Sequence, residues 1–194
     1  MKKILLLILI ICTTSFAQYK VGEAKGLFMA IGIGPRFPVF DMSDMQNIGV
    51  GFNATFSYTD NNLLPIFFYT SIGYQHFPGS QDLYKRSDYS SFSSNVLVVQ
   101  PGIRYYFKPM FEQVVLLMPV LDIGAEYNLY ESLNQFKVGT GKENYLEDIN
   151  RFGFHAGIGV SMFLLDFITY YHYVPDNQYI SVDLRVNIPI FVKL

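Results

Sequence analysis

The stretch YISVDLRVNIPIF, residues 179–191, places Ile180, Val182, Leu184, Val186, Ile188 and Ile190 on one side of an extended chain. Ser181, Asp183, Arg185 and Asn187 fall on the other side. An unbroken apolar row set against a row with both an acid and a base needs two environments. The apolar row needs a hydrocarbon neighbour, and the charges need one another, because a buried charge is costly unless it is paired.

The same period-2 pattern recurs along most of the chain, and helical periodicity is hard to find. We read strands at 26–38, 48–59, 66–77, 93–107, 116–129, 152–163, 167–174 and 179–191. In the first, Leu27, Met29, Ile31 and Ile33 oppose Ala30, Gly32, Gly34 and Arg36; in the fifth, Leu121, Ile123, Ala125 and Tyr127 oppose Asp122, Gly124 and Glu126. The sixth opposes Phe154, Ala156, Ile158, Val160 and Met162 to Gly153, His155, Gly157, Gly159 and Ser161. Every charged residue inside these strands, namely Arg36, Arg104, Asp122, Glu126, Asp183 and Arg185, lies on the small, polar face. Three are basic and three acidic, so they can cancel. Strands three and seven have no clean polar row, and their facing stays open.

A water-soluble barrel would turn the apolar row inward and need charge outside, and these strands hold too little. The inverted arrangement fits. The expected fold is all-β: an eight-stranded antiparallel up-and-down transmembrane β-barrel with a filled polar lumen. Arg36, Arg104, Asp122, Glu126, His155, Asp183 and Arg185 form the expected lumen network.

Composition agrees. The chain is 51% hydrophobic and 15% charged, against about 25% charged in soluble chains. Beyond the N-terminus the longest apolar run is VVLLMPVL, residues 114–121, broken by Pro119. It is far shorter than the roughly 18 residues of a membrane helix. The net charge of −2 and the lack of a basic patch exclude a nucleic-acid partner.

The N-terminal MKKILLLILIICTTSFAQ has two lysines, an apolar core from Ile4 to Cys12, and small residues before Gln18. It reads as a secretory signal peptide over 1–17, cleaved after Ala17, leaving 18–194 as the barrel. Bulky Ile10 and Ile11 before Cys12 argue against lipidation there. Removal of Cys12 leaves no cysteine, so packing and sheet closure must hold the exported chain together.

Connections after strands two, four and six are brief. Two of the other four, 78–92 and 130–151, are long and rich in Asp, Asn, Ser, Lys and Glu. This asymmetry matches short periplasmic turns and longer outer loops. Tyr58, Tyr74, Tyr105, Tyr127, Tyr171 and Tyr179 cluster near strand ends, as interfacial girdles do.

With LVVQPGIRYYF (97–107), PVLDIGAEYNL (119–129), FGFHAGIGVSMF (152–163) and the last strand, the mature chain resembles the small Gram-negative outer-membrane β-barrels of OmpA and OmpX type. The resemblance implies a cell-envelope protein in the outer membrane. It is specific for architecture and poor for activity, since such barrels include adhesins, structural proteins and lipid-modifying enzymes. Barrels of this family commonly end in an aromatic residue, whereas this chain ends IPIFVKL, with Phe191 three residues before Leu194.

A lipid A deacylase of this kind is expected to carry serine two positions after its histidine; Val174 stands there after His172. His155 and Ser161, in one strand, are about 20 Å apart at about 3.3 Å per residue, too far for proton transfer. His76 reads as interfacial. No metal-ligand spacing exists, the loop acids Glu143, Glu147 and Asp148 lack the spacing of a calcium loop, and no cofactor or metal is expected. The sequence thus reads as a non-catalytic, monomeric outer-membrane barrel, with outer-membrane lipid around the wall. An extracellular protein or surface partner is expected at 78–92 and 130–151. The alternatives are a lipid-modifying enzyme using His172 or His155, and a secreted lipocalin-like barrel with an apolar ligand.

Overall fold

A computed structural model of the chain describes residues 25–60, 62–110 and 117–193. The leader expected over 1–17 and its expected cleavage point lie outside the described residues. The strands are β1 (Lys25–Pro38), β2 (Gly49–Asp60), β3 (Ile66–Pro78), β4 (Tyr89–Tyr106), β5 (Leu117–Phe136), β6 (Tyr145–Met162), β7 (Leu165–Tyr173) and β8 (Tyr179–Lys193). Two short helices, α1 (Asp41–Met45) and α2 (Gln81–Arg86), follow β1 and β3. Each strand pairs antiparallel with the next, and β1 pairs with β8, so the sheet closes as an up-and-down barrel. Closure leaves no strand edge, which hydrocarbon could not hydrogen-bond.

The apolar row lies outside. Ile33, Phe52, Ile123, Phe154 and Ile158 are all more than half exposed, while Arg36, Arg104, Asp122, Glu126, His155, Asp183 and Arg185 are buried in the interior. This is the reverse of a water-soluble barrel and excludes the lipocalin-like arrangement. The two unassigned faces are also fixed: β3 turns Tyr69, Ser71 and Gln75 inward, and β7 turns Asp166, Ile168, Tyr170 and His172 inward.

The glycines of the inner face make room for its largest side chains. Gly102 pairs directly across from Tyr69, Gly124 from His155, Gly157 from Tyr170 and Gly32 from Arg185. A Cβ on Gly157 would stand 2.3 Å from the Tyr170 ring, and one on Gly124 would stand 2.5 Å from the His155 ring. An eight-stranded lumen is only wide enough for side chains, so a bulky residue on one strand requires the absence of one on its neighbour.

On β5 the outward apolar row from Pro119 to Leu129 spans about 33 Å along the strand, or about 25 Å along the barrel axis at a tilt near 40°. One step beyond Leu129 the outer surface turns polar. His76, Asn95, Glu131 and Asp148 are consecutive cross-strand neighbours on β3, β4, β5 and β6. His76 is thus at the interface, its Nδ1 2.8 Å from Asn95 Oδ1.

Two sequence expectations need correction. The 130–151 stretch is mostly a continuation of β5 and β6, paired from Tyr130↔Ile149 to Asn134↔Tyr145, with a turn only over 137–144. The 78–92 stretch contains α2 and the first residues of β4, with Ser80 capping the helix by accepting from the Asp82 N–H at 3.3 Å. Above the membrane nothing demands an apolar outer row, so the hydrophobic alternation fades although strand pairing continues.

Gly157→Val should destabilise the barrel by about 1–3 kcal/mol through overpacking against Tyr170. The shift is measurable as a lower urea midpoint in detergent, using the gel-mobility change of the boiled against the unboiled barrel.

Candidate functional site

The lumen holds three linked polar clusters. Nearest the turn end, Arg104 makes a two-pronged contact with Asp122, both bonds at 2.8 Å, and a third bond to Asp166 Oδ2 at 2.9 Å. The Tyr170 hydroxyl also donates to Asp122. On the other side, Asp183 accepts from Arg36 at 2.7 Å, Arg185 at 2.9 Å and Asn53 at 3.0 Å. The Arg185 guanidinium lies 4.9 Å from the centre of the Tyr170 ring, tying the two clusters together.

The third cluster surrounds Glu126, which accepts from Gln100 at 3.0 Å and Asn128 at 3.1 Å and lies 2.7 Å from His172 Nδ1. His155 Nε2 is 2.6 Å from the Tyr69 hydroxyl, and its ring lies tilted beside that of His172, with centroids 5.9 Å apart. All seven residues read from the sequence as the lumen network therefore meet in the interior. The sequence reading missed Asp166, His172, Tyr69 and Tyr170. Asp166 falls between the expected strands 152–163 and 167–174, but it pairs directly with Arg185 across β7 and β8. Its inclusion gives four buried carboxylates against three arginines among the described residues. Glu126 is the carboxylate whose basic partner is a histidine.

His172 also corrects the search for a nucleophile. Its Nε2 is 2.9 Å from Ser181 Oγ on the next strand, so Ser181, His172 and Glu126 follow the order of a nucleophile, base and acid. Access is missing. Ser181 is 1% exposed and Glu126 1% exposed. Tyr179 stacks on the His172 ring at 4.1 Å and 8°. Above them Met42, Phe77, Val96, Tyr130, Val174 and Tyr179 form an apolar plug across the loop end, with Met42 contributed by α1. Val174, at the position where a deacylase would need serine, belongs to this plug. The chain of bonds orients lumen side chains and has no substrate path from the loop end.

The outer connections are tied to one another. Lys137 donates to the carbonyls of Tyr84 and Ser87, both at 2.7 Å, and Lys142 pairs with Asp88 at 2.8 Å. The hydrogen bond from Lys142 and its charge hold the Asp88 carboxyl below its ordinary range, and Asp88 in turn raises the Lys142 ammonium. Tyr89 stacks on Phe136 at 4.8 Å. The turn of the β5–β6 hairpin is thereby fastened onto the α2 segment, and it exposes Val138, Tyr145 and Leu146.

No family model and no curated protein matches the sequence. Among solved structures, the chain is similar to Neisserial surface protein A, with a TM-score of 0.52 and 14% identity over 85% of this chain and 97% of that one. Ail, the attachment invasion locus protein of Yersinia pestis, aligns with a TM-score of 0.47 and 11% identity over 85% of this chain and 98% of that one. Its complex with the heparin analogue sucrose octasulfate aligns at 0.45 and 10%, over 86% and 99%. The first likeness shows the fold, a small outer-membrane type β-barrel.

Asp183→Ala leaves Arg36 and Arg185 without their shared buried acceptor and should cost about 3–5 kcal/mol. Asp88→Ala, at the exposed pair, should leave the urea midpoint unchanged. Parallel urea titrations of the two variants check the contrast.

Proposed function

We propose that the protein is a non-catalytic, monomeric barrel of the bacterial outer membrane, exported by a leader removed after Ala17. Its role is carried out at the loop end, which meets an extracellular protein or surface. The observation that carries this reading is the β5–β6 hairpin. It continues past the polar girdle of Glu131 and Asp148 and is braced against α2, so Val138, Tyr145 and Leu146 are held up on a fixed support. Exposed apolar and aromatic groups rimmed by Lys142, Glu143 and Glu147 have the make-up of a binding surface.

The outward apolar band of about 25 Å supports a transmembrane seat. The asymmetry of the connections supports a loop end facing outward. The apolar plug across the loop end supports a role other than a pore. A lipid-modifying activity has the bond order of Ser181, His172 and Glu126 in its favour and the burial of all three against it. Deletion of the protein should therefore leave lipid A masses unchanged by mass spectrometry.

Replacing residues 137–144 with a two-residue Asn-Gly turn keeps the paired walls and removes the tip. The variant should still reach the outer-membrane fraction and change mobility on boiling. Retention of cells expressing it on immobilised extracellular-matrix proteins should fall by about tenfold relative to the intact protein, the equivalent of about 1.4 kcal/mol of contact. Equal retention by both would overturn the surface role. N-terminal sequencing of the membrane form should begin at Gln18.

A further inference from the structure

Among the described residues the lumen is closed at the loop end by its apolar plug, and at the turn end they line a cavity of about 670 Å³. Phe28, Phe67, Tyr106 and Met118 are among its mostly apolar wall, and Ser57, Ser161 and Asn187 supply a few polar groups. The aromatic side is preformed: Phe28 packs on Phe67 at 5.9 Å, and Phe67 meets Tyr106 edge-on at 4.9 Å. A preformed, mostly apolar cavity with few polar groups, within the range of about 300–1,000 Å³, is what small-molecule sites look like.

Charge selects the occupant further. Lys108 is the one charged residue among the described residues that line the cavity. Deeper in, Arg104 is held by Asp122 and Asp166, and four buried carboxylates already stand against three arginines among the described residues, so the interior has no surplus positive charge for an anion. A ligand that fits has an apolar chain to place in the lumen and a negative head to leave at the rim.

We propose that the turn end of the lumen is a binding site for a single-chain anionic amphiphile, a free fatty acid or a lysophospholipid. The chain lies against Phe28, Phe67 and Met118, and the head lies beside Lys108. The site is separate from the loop-end surface and does not depend on that role.

The chain contains no tryptophan, so Phe28→Trp creates a single reporter inside the cavity, and Ile123→Trp creates one facing lipid. Both variants are reconstituted in phosphatidylcholine vesicles after the boiling gel confirms folding, with Met118→Trp as the inner reporter if Phe28→Trp fails that check. Titration with dibromostearate should quench the inner tryptophan saturably, at concentrations about tenfold below those that quench the lipid-facing one. Adding Lys108→Glu should raise the half-quenching concentration by about tenfold, and the uncharged methyl ester should behave like that variant. Quenching by brominated lysophosphatidylglycerol alone assigns the site to a phospholipid source, and quenching by both ligands assigns it to the shared chain and charge. Inner and outer reporters quenched in parallel, or no response to Lys108→Glu, would overturn the proposal.

Discussion

Hydrocarbon offers no hydrogen bonds, and the rest of the structure follows from that. Every backbone group in the wall must find a partner in a neighbouring strand, so the sheet closes through β1 and β8. Every outward side chain along the band must be apolar, so the polar and ionic groups go inward. Once inside a lumen too narrow for bulk water, they must satisfy one another. Arg104 between Asp122 and Asp166, and Asp183 between Arg36 and Arg185, are the outcome. The glycines on the inner face belong to the same constraint, since the rings of Tyr69, His155 and Tyr170 fit only across from residues without a side chain.

How much of this was legible varied with depth in the membrane. Where a strand crosses lipid, as in β8 or the lower part of β5, alternation is imposed by the surroundings, and the faces could be read residue by residue. Where β5 and β6 rise above the membrane, Glu131 and Asp148 point outward as readily as a leucine would below. Pairing there left no hydrophobic signature. β7 failed for another reason: its sequence FITYYHYV puts aromatic residues on both faces. Tyr170 and His172 lie inside because their polar ends find Asp122, Glu126 and Ser181, and those partners come from other strands. Asp166 was lost to a boundary error of two residues, because β7 begins at Leu165.

The bonded series of Ser181, His172 and Glu126 illustrates how a site must be argued. Spacing along the chain gave no nucleophile for His172, since Val174 stood where one was sought. The neighbouring strand supplied one at hydrogen-bond distance. Geometry alone would then suggest acyl transfer, but catalysis also needs room for a substrate and donors for a developing oxyanion. The stacked Tyr179 and the plug above it fill the approach from the loop end. The same residues that could have formed a relay instead fix the tautomers and rotamers of a packed interior.

The bracing of the hairpin turn by α2 has a consequence for how the loop end of the barrel is recognised by another protein. Lys137, Lys142 and Phe136 come from one connection; Tyr84, Ser87, Asp88 and Tyr89 come from another about fifty residues earlier in the chain. The epitope at the tip is therefore discontinuous. An antibody raised against the folded barrel would read both segments at once, while a short peptide copying either segment would present it without the other and compete poorly for that antibody.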